Sequence, residues 1–358
     1  MSDKNEDAKA AAANQKGVIQ TDRPKEIEHF GGPIGLDIGT TNIVSARARG
    51  ASIQITKQLN AFFTVPASKI TGMTLLKNDV LYFSQNGSYY IIGNAADTFA
   101  NTFNTDTRRP VESGLLSAKE DEALNVIQSI IKTLVPPPKN QGELVCYSIP
   151  GEPIDTKISV LHHDTILKRT LQDMGYTAIA INEGFAVIMS ELAEESYTGI
   201  GISMGGGMCN VCFSYLSVPV FSYSIQKGGD YVDTMVGAAV GESATRIKLI
   251  KEKELNLLKE PKNKIETSLS IYYEDLLESL ILSIQRVITT SESVPRLSKP
   301  ISVVLSGGTA MPAGVREKFE KLLKANRLPL QFSSVRMAED PLNTTAKGAL
   351  QLAIAEEK

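Results

Sequence analysis

The chain has 358 residues, of which 42% are hydrophobic and 22% are charged, which allows two globular domains with separate cores. The formal net charge of −3 gives no general attraction to nucleic acid. No apolar run approaches the roughly 20 residues that cross a bilayer, and the polar N-terminus lacks a secretory-signal pattern. We therefore expect a cytoplasmic protein that does not bind nucleic acid directly.

Residues 1–30 are rich in Ala, Lys, Asp, Glu, Asn and Gln and have no apolar period. Such a segment cannot bury enough surface to offset its ordering entropy, which predicts a disordered tail. Order begins with an apolar strand at 34–38, a Gly-Thr-Thr turn and a second strand at 43–46. The same unit recurs at 200–204 and 211–215, around three glycines. Two hairpins with small-residue turns indicate an internal duplication.

Strands and helices alternate between and after these hairpins, which indicates α/β layers. The apolar segment 60–65 predicts a buried strand, and a loop that dips into lipid is the alternative. In chain order, the remaining patterns predict a helix at 120–134, a strand at 144–149, a helix at 164–174, a strand at 178–181, helices at 185–194, 237–258 and 272–290, and a strand at 301–305.

The cysteines and histidines carry no clear chemistry. Cys209 and Cys212 form a C-x-x-C, but they lie on a predicted strand, where residues three apart face opposite sides. We interpret them as packing residues rather than as a metal or redox pair. His162 and His163 are adjacent and cannot share a helix face, so we expect both at the surface.

Five motifs follow one another along the chain: GLDIGTTN at 35–42, PVESGLL at 110–116, INEGFA at 181–186, SMGGGMCN at 203–210 and SGGTA at 306–310. Turns of Gly, Thr and Ser leave backbone N–H groups uncrowded, and two such turns that face each other can hold a polyphosphate from both sides. In this order the motifs resemble the actin, DnaK-chaperone and sugar-kinase superfamily, and within it the bacterial actins MreB and MamK.

The resemblance implies a fold of two duplicated actin-like, ribonuclease H-like α/β domains that flank a nucleotide cleft. We expect domain I at 31–180 and domain II at 181–340. Residues 341–358 are expected to form a C-terminal helix that packs back toward domain I. The implied ligands are ATP and Mg²⁺.

The two hairpin turns are the implied phosphate sites. Asp37 would hold Mg²⁺, through water because Mg²⁺ sheds its hydration reluctantly. The alternative is an ordinary tight hairpin in which Asp37 is only a turn residue. The implied phosphate-binding residues are Gly39, Thr40, Thr41 and Asn42 in the first turn and Gly205, Gly206 and Gly207 in the second.

The resemblance also assigns a catalytic group and a nucleoside pocket. Glu183 would polarise the attacking water, although it could instead be a charge that complements a helix N-terminus. Glu242 and Lys248, with Thr245 between them, would share one helix face toward the ribose and base. A solvated amphipathic helix is the alternative there. The purine would lie against the turn that contains Gly307, Gly308 and Thr309.

The second turn departs from the family pattern. Ser203 stands where an aspartate is usual, Met208 and Cys209 replace hydroxyl residues, and Asn210 replaces an acid. Losing a carboxylate near Mg²⁺ and two hydroxyl donors near the γ-phosphate weakens catalysis more than binding. ATPase activity is therefore left open, and slow hydrolysis is expected.

These features predict an ATP-binding actin-like cytoskeletal protein that polymerises into filaments in a nucleotide-dependent way. Its partners would be further copies of itself and accessory proteins in the cytoplasm or on the membrane, and attachment to the inner face of the membrane is left open. One alternative is a non-polymerising or hydrolysis-deficient nucleotide-binding scaffold of the same fold. A small-molecule kinase is a second alternative.

Overall fold

A computed structural model describes residues 31–103, 105–120, 122–326 and 328–357. The predicted disordered tail at 1–30 lies outside the described residues.

The described residues form fifteen strands and ten α-helices. The strands are β1 (Ile34–Ile38), β2 (Asn42–Arg49), β3 (Ser52–Leu59), β4 (Phe62–Pro66), β5 (Tyr82–Gln85), β6 (Ser88–Ile92), β7 (Val111–Glu112), β8 (Leu115–Leu116), β9 (Leu144–Ile149), β10 (Thr177–Asn182), β11 (Gly199–Met204), β12 (Cys209–Tyr215), β13 (Val218–Ile225), β14 (Ile301–Ser306) and β15 (Phe332–Met337). The helices are α1 (Lys69–Lys77), α2 (Asn94–Thr102), α3 (Ala123–Leu134), α4 (Leu161–Asp173), α5 (Glu183–Glu191), α6 (Gly229–Val240), α7 (Ala244–Glu254), α8 (Lys264–Thr290), α9 (Val315–Ala325) and α10 (Thr344–Glu356).

Two five-stranded sheets share one topology. Sheet I has the order β10-β9-β1-β2-β3, and sheet II has the order β15-β14-β11-β12-β13. In each, three consecutive strands form an antiparallel meander, and two later strands add in parallel beside the first strand. This repeated order confirms the duplication that the two hairpins predict. We call the sheets with their packed helices lobe I and lobe II.

The central strands are apolar because they are covered on both faces. All six residues of β11 are buried, which is the continuous apolar pattern of an interior strand. The core of lobe II lies between sheet II and the long helix α8, whose buried residues recur at helical spacing from Leu269 to Ile288. The core of lobe I lies between sheet I and helices α3 and α4.

Helices α5 and α10 lie between the two sheets. α5 packs on α10 and on strands β11 and β12, and α10 packs on β1, β2 and β9. Gly348 allows this approach, because a Cβ there would lie 1.8 Å from the Ala186 carbonyl oxygen. The division at 31–180, 181–340 and 341–358 stays a prediction.

The predicted single helix at 237–258 is wrong. Two helices occupy this region, and the first begins earlier, at Gly229. Gly241 adopts φ 79° at the end of α6, the left-handed conformation that ends helices. Ser243 then caps α7 by accepting a hydrogen bond from the Arg246 N–H. Helical periodicity continued through this break because both helices bury apolar side chains.

The segment 60–65 confirms the prediction of a strand. Phe62 is fully buried and begins β4, which pairs with β6 in a three-stranded sheet beside α1 and α2. Among the described residues, none of the helices is both long and apolar enough to span a membrane.

The prediction that both histidines lie at the surface holds for His162 and is wrong for His163. His163 is buried, and its Nδ1 accepts the Leu116 N–H at 3.2 Å, because α4 packs against the short β7–β8 hairpin. Burial lowers the pKa of His163 to about 4, so the ring is neutral. Cys209 and Cys212 are both buried, in different apolar clusters, as expected for opposite faces of a strand.

Candidate functional site

The turns of the two duplicated hairpins line one cavity between the lobes. The β1–β2 hairpin contributes Asp37, Gly39, Thr40, Thr41 and Asn42. The β11–β12 hairpin contributes Ser203, Gly205, Gly206, Gly207, Met208 and Asn210. The predicted apposition of residues 37–42 and 203–210 from opposite lobes is therefore present.

Glycine is required where the two turns meet. A Cβ on Gly207 would lie 2.6 Å from Thr40 Oγ1 and 2.4 Å from the Gly114 nitrogen. A Cβ on Gly206 would lie 2.9 Å from Thr41 Oγ1. Side chains at these glycines would hold the lobes apart, so the three-glycine run serves the close approach of two backbones.

Hydrogen bonds to neighbouring segments hold each turn in place. The Asn60 side chain donates to the Gly39 carbonyl at 2.8 Å, and the Asn60 N–H donates to Thr41 O at 2.8 Å. In lobe II, the Gly205 carbonyl accepts from Thr309 Oγ1 at 2.8 Å and from the Gly229 N–H at 3.0 Å. These bonds fix both turns in the conformation that faces the cavity.

Two half-buried carboxyl groups, those of Asp37 and Glu183, line the cavity. Ser148 Oγ donates to Asp37 Oδ1 at 2.8 Å, and Ser203 Oγ donates to Glu183 Oε2 at 3.0 Å. Burial raises the pKa of Asp37 to about 6, and the Ser148 bond opposes that rise. Burial, with the nearby negative charge of Asp37, raises the pKa of Glu183 to about 8, opposed by hydrogen bonds from Ser203 and Asn210.

The carboxyl groups of Asp37 and Glu183 have the chemistry that a divalent cation requires. Burial and mutual repulsion disfavour two negative charges here, and a bound cation would relieve both penalties. Mg²⁺ takes oxygen ligands and is usually held by one or two carboxylates together with water and phosphate. Asp37 and Glu183 fit that requirement. Within the described ranges, no group of three or more His, Cys, Asp or Glu is arranged to hold a metal.

Glu183 begins α5, and Asn182 is its N-cap residue, accepting the Phe185 N–H at 3.2 Å. A Cβ at Gly184 would lie 2.6 Å from the Cys212 nitrogen, so this glycine seats the start of α5 against β12. The helix start thereby places Glu183 at the cavity.

The cavity is also lined by Gly307, Gly308 and Thr309 from the turn after β14, and by Lys248 from α7. Glu242 is not among the lining residues. It precedes the Ser243 cap, so the helical spacing to Lys248 does not apply, and its carboxylate accepts from Arg246 Nη1 at 3.0 Å. Thr245 also points elsewhere and donates to Asp106 of lobe I at 2.9 Å.

Sequence reasoning missed a buried ion pair in the cavity wall. Lys251 Nζ donates to Asp233 Oδ2 at 2.7 Å and to the Gly229 carbonyl at 3.0 Å, with side chains 6% and 4% exposed. Burial raises the pKa of Asp233 to about 6, and Lys251 opposes that rise. A usable signal was present, because Lys251 follows Lys248 by three residues and so lies on the same helix face.

Polar and apolar contacts join the lobes beside the cavity. Arg109 of lobe I forms an ion pair with Asp230 of lobe II at 3.0 Å. Met208 of lobe II is buried in a cluster with Leu115 and Val160 of lobe I. A Cβ on Gly114 would lie 2.6 Å from Met208 Sδ. Met208, which replaces a hydroxyl residue of the family, therefore acts as an apolar contact between lobes.

Comparisons with known proteins agree with this geometry. A family model described as Volactin matches residues 33–353. No curated protein matches the chain. The MamK double helical filament is similar with a TM-score of 0.67 and 21% identity, over 90% of this chain and 98% of the MamK chain.

Two further solved structures share the architecture. MreB5 of Spiroplasma citri bound to ADP gives a TM-score of 0.63 at 15% identity, over 92% of this chain and 99% of that one. The ethanolamine utilization protein EutJ from Carboxydothermus hydrogenoformans gives 0.51 at 14% identity, over 89% of each chain. These likenesses establish the predicted actin-like fold of two duplicated domains.

Proposed function

The chain belongs to the Volactin family, and we propose that it is an actin-like protein that binds ATP with Mg²⁺ between its lobes and assembles into filaments. The observation that carries the proposal is the meeting of two duplicated glycine- and threonine-rich turns, one from each lobe, on a single cavity. The division into domains at 31–180 and 181–340 is part of the same proposal.

In this proposal the phosphates lie between the two turns and the nucleoside lies toward Lys248 and the Gly307–Gly308 turn. Thr40 and Thr41 offer hydroxyl donors, and Gly206 and Gly207 of the second turn offer backbone N–H groups, whereas the Gly205 N–H donates to Met208 O within the hairpin. Glu242 loses its proposed contact with the nucleoside, because its carboxylate is directed to Arg246. The buried ion pair between Lys251 and Asp233 stabilises the lobe II side of the cavity.

Mg²⁺ would neutralise phosphate charge in the reaction. Asp37 would hold it, since its half-buried carboxyl group lines the cavity and accepts a hydrogen bond from Ser148. Glu183 accepts a hydrogen bond from Ser203 and is placed to orient a water toward the γ-phosphate. Slow hydrolysis is part of the proposal, because Ser203 supplies no carboxylate beside the Mg²⁺ position.

Assembly follows from the two-lobed design. A ligand that bridges both turns favours one angle between the lobes, and subunits that stack head to tail through an interface that does not close form a filament. The solved MamK relative is described as a double helical filament. We place the protein in the cytoplasm, with itself as main partner and with accessory proteins in the cytoplasm or on the membrane.

Sedimentation, light scattering and electron microscopy with ATP-Mg²⁺, with ADP-Mg²⁺ and without nucleotide test the proposal. We expect ATP-dependent pelleting and filaments. A chain that binds ATP tightly yet stays monomeric at high concentration would instead support the scaffold alternative, which the replacement of the usual aspartate by Ser203 favours. A chain that binds no ATP would refute both.

A further inference from the structure

The tip of the β12–β13 hairpin (residues 215–218) contains a strained two-residue turn. Leu216 and Ser217 adopt φ 50° and 68°. A leucine in this left-handed conformation is strained, because its Cβ lies close to the following carbonyl oxygen. Beside the tip, Ser196 and Tyr197 also have positive φ, and Thr198 Oγ1 accepts the Leu216 N–H at 2.9 Å. Strained backbone is therefore concentrated at this end of lobe II.

Three other strand pairs of the chain are joined by two-residue turns, at 50–51, 86–87 and 113–114. Each of these turns contains a glycine with positive φ, as such turns favour. The turn at 50–51 joins β2 to β3 and is therefore the lobe I equivalent of the tip. The fold thus accommodates glycine in such a turn, and the leucine of lobe II calls for a reason outside the hairpin.

The tip exposes apolar side chains. Leu216 and Val218 are 57% and 64% exposed, and Tyr215 is 38% exposed. Tyr215 and Val218 are paired across the hairpin, so the three residues form and flank the turn. A cluster of apolar side chains that remains on the surface of a strained turn is typical of an interaction site.

The tip lies at the end of the molecule that is remote from the cavity. β12 begins beside the cavity-lining residue Met208 and leads away for seven residues, which corresponds to about 20 Å. In lobe I, β3 returns to the cavity, where Asn60 N donates to Thr41 O at 2.8 Å, and the layer of β4, β5, β6, α1 and α2 follows there. Because the turns of both sheets meet at one cavity, the tip and this layer lie at opposite ends of the molecule.

The layer at the opposite end presents an apolar helix face. Ile70 and Met73 of α1 are 77% and 59% exposed, and with Lys77 they share one face at positions i, i+3 and i+7. The buried residues of α1 are Gly72 and Leu75, so a different face of the helix packs inward. α1 contains two lysines and no acidic residue, which makes this surface apolar and basic.

The tip is instead bordered by acidic residues. Glu194 and Glu195 are exposed, and they closely precede Thr198, whose hydroxyl accepts the Leu216 N–H. Lys299 precedes β14 and so lies one strand further from the tip than the two glutamates. An apolar and acidic surface at one end thus complements an apolar and basic surface at the other. Charge complementarity of this kind orients two partners and speeds their association.

We propose that the tip is a self-association site that contacts the exposed face of α1 on a second copy of the chain. Because the two surfaces lie at opposite ends of the molecule, the contact is heterologous, and it repeats from copy to copy as an open filament. This inference rests on the proposed function and adds to it the contact through which the subunits stack.

The first experiment replaces the strained turn by the unstrained one found at 86–87. The double variant Leu216→Asn with Ser217→Gly should raise the unfolding temperature by roughly 2 °C, because strain is relieved. It should also raise the critical concentration for ATP-dependent assembly by about tenfold or more, because the apolar contact is lost. ATP-Mg²⁺ affinity should stay within about threefold of wild type, since the tip is remote from the cavity.

Two controls accompany this variant. Ser217→Gly alone keeps Leu216 and should assemble like wild type. Leu282→Asn removes a leucine of α8 that is 56% exposed, nearly the same fraction as Leu216, and should also leave assembly unchanged. The proposal is overturned if the double variant assembles like wild type, or if Leu282→Asn loses as much assembly as the double variant.

Cross-linking tests the partner surface on α1. Cys146, Cys209 and Cys212 are buried, so cysteines introduced by Ser217→Cys and Met73→Cys are the accessible ones. With both substitutions in one chain, a short bismaleimide should link the assembled protein into a ladder of multimers, and either substitution alone should give none. Dimers from Ser217→Cys alone would indicate contact between two tips and would overturn the proposal. Absence of the ladder from assembled protein would equally exclude α1.

The wild-type chain separates this inference from the function on which it rests. If wild type binds ATP and does not assemble, the proposed filament fails and this contact fails with it. If wild type assembles and the double variant assembles equally well, only the contact at the tip is refuted, and the proposed function stands.

Discussion

The two lobes repeat one backbone design but place different chemistry at equivalent positions. In lobe I, the cavity-lining residue Asp37 begins a row of paired strand residues, Asp37, Val44 and Lys57. In lobe II, the equivalent row is Ser203, Asn210 and Ser224. One lobe presents a carboxylate to the cavity, while the other presents neutral hydrogen-bond donors.

This difference shows that the two copies of a duplicated hairpin can take different chemical roles. Desolvation already disfavours ionisation of both Asp37 and Glu183, and the negative charge of Asp37 adds to this cost at Glu183. A third acid at Ser203 would add to that repulsion unless a cation compensated it. The neutral row of lobe II instead donates to Glu183 through Ser203 and joins the lobes through Asn210, which accepts the Gly151 N–H.

The largest expected effect concerns the wall of lobe II. Lys251→Met leaves Asp233 buried without its cationic partner, which costs about 3–5 kcal/mol. We expect calorimetry to show a lower unfolding temperature for lobe II while the lobe I transition stays in place. Lys248→Met is the control, since its side chain is 26% exposed and its ion pair with Glu252 spans 3.9 Å. A uniform shift of both transitions would show that the lobes do not unfold separately.

The next effect concerns the carboxylate that only lobe I presents. Asp37→Asn removes the charge proposed to hold Mg²⁺, which should weaken ATP-Mg²⁺ binding by roughly 3 kcal/mol, about 100-fold. Affinity measured in EDTA should change far less. Asp79→Asn, an exposed position of lobe I, is the matched control. Equal losses with and without Mg²⁺ would contradict the assignment of Asp37.

A smaller effect is expected at the apolar contact between lobes. Met208→Ser replaces a buried apolar side chain by a short polar one and so removes its contact with lobe I, a loss of about 1.5–3 kcal/mol for the closed arrangement. Small-angle scattering of the nucleotide-free chain should then show a larger radius of gyration, and ATP-Mg²⁺ should restore the compact value. Val160→Ala, on the lobe I side of the contact, should act in the same direction more weakly. An unchanged radius in both variants would show that other contacts hold the lobes.

The last effect is a dependence of the stability on pH. Glu183 has its pKa raised from 4.5 to about 8 in the folded chain, so the folded state keeps a proton that the unfolded state releases. Stability is therefore greatest below about pH 4.5 with respect to this group and falls as the pH rises from there to about 8, by up to about 1.4 kcal/mol per pH unit. Denaturant melts without Mg²⁺ between pH 5.5 and 8.5 should show the fall. Glu183→Gln should flatten it, and an unchanged slope in that variant would assign it to another group.

Local sequence was sufficient for much of this molecule. Sequence patterns predicted the two hairpins, the strand at 144–149 and the turn at residues 205–207. They could do so because strand period and turn chemistry are properties of neighbouring residues. The break between the two helices within 237–258 was not predicted, because the apolar period continues on both sides of the Gly241 and Ser243 caps.

Contacts between distant segments decided the rest. Burial of His163 depends on the β7–β8 hairpin packed against its helix, and the Lys251–Asp233 pair joins two helices. The contact of Met208 with the opposite lobe likewise arises only when the chain is folded. A residue's own neighbours set its backbone conformation, but they do not specify which side chain from another lobe will face it.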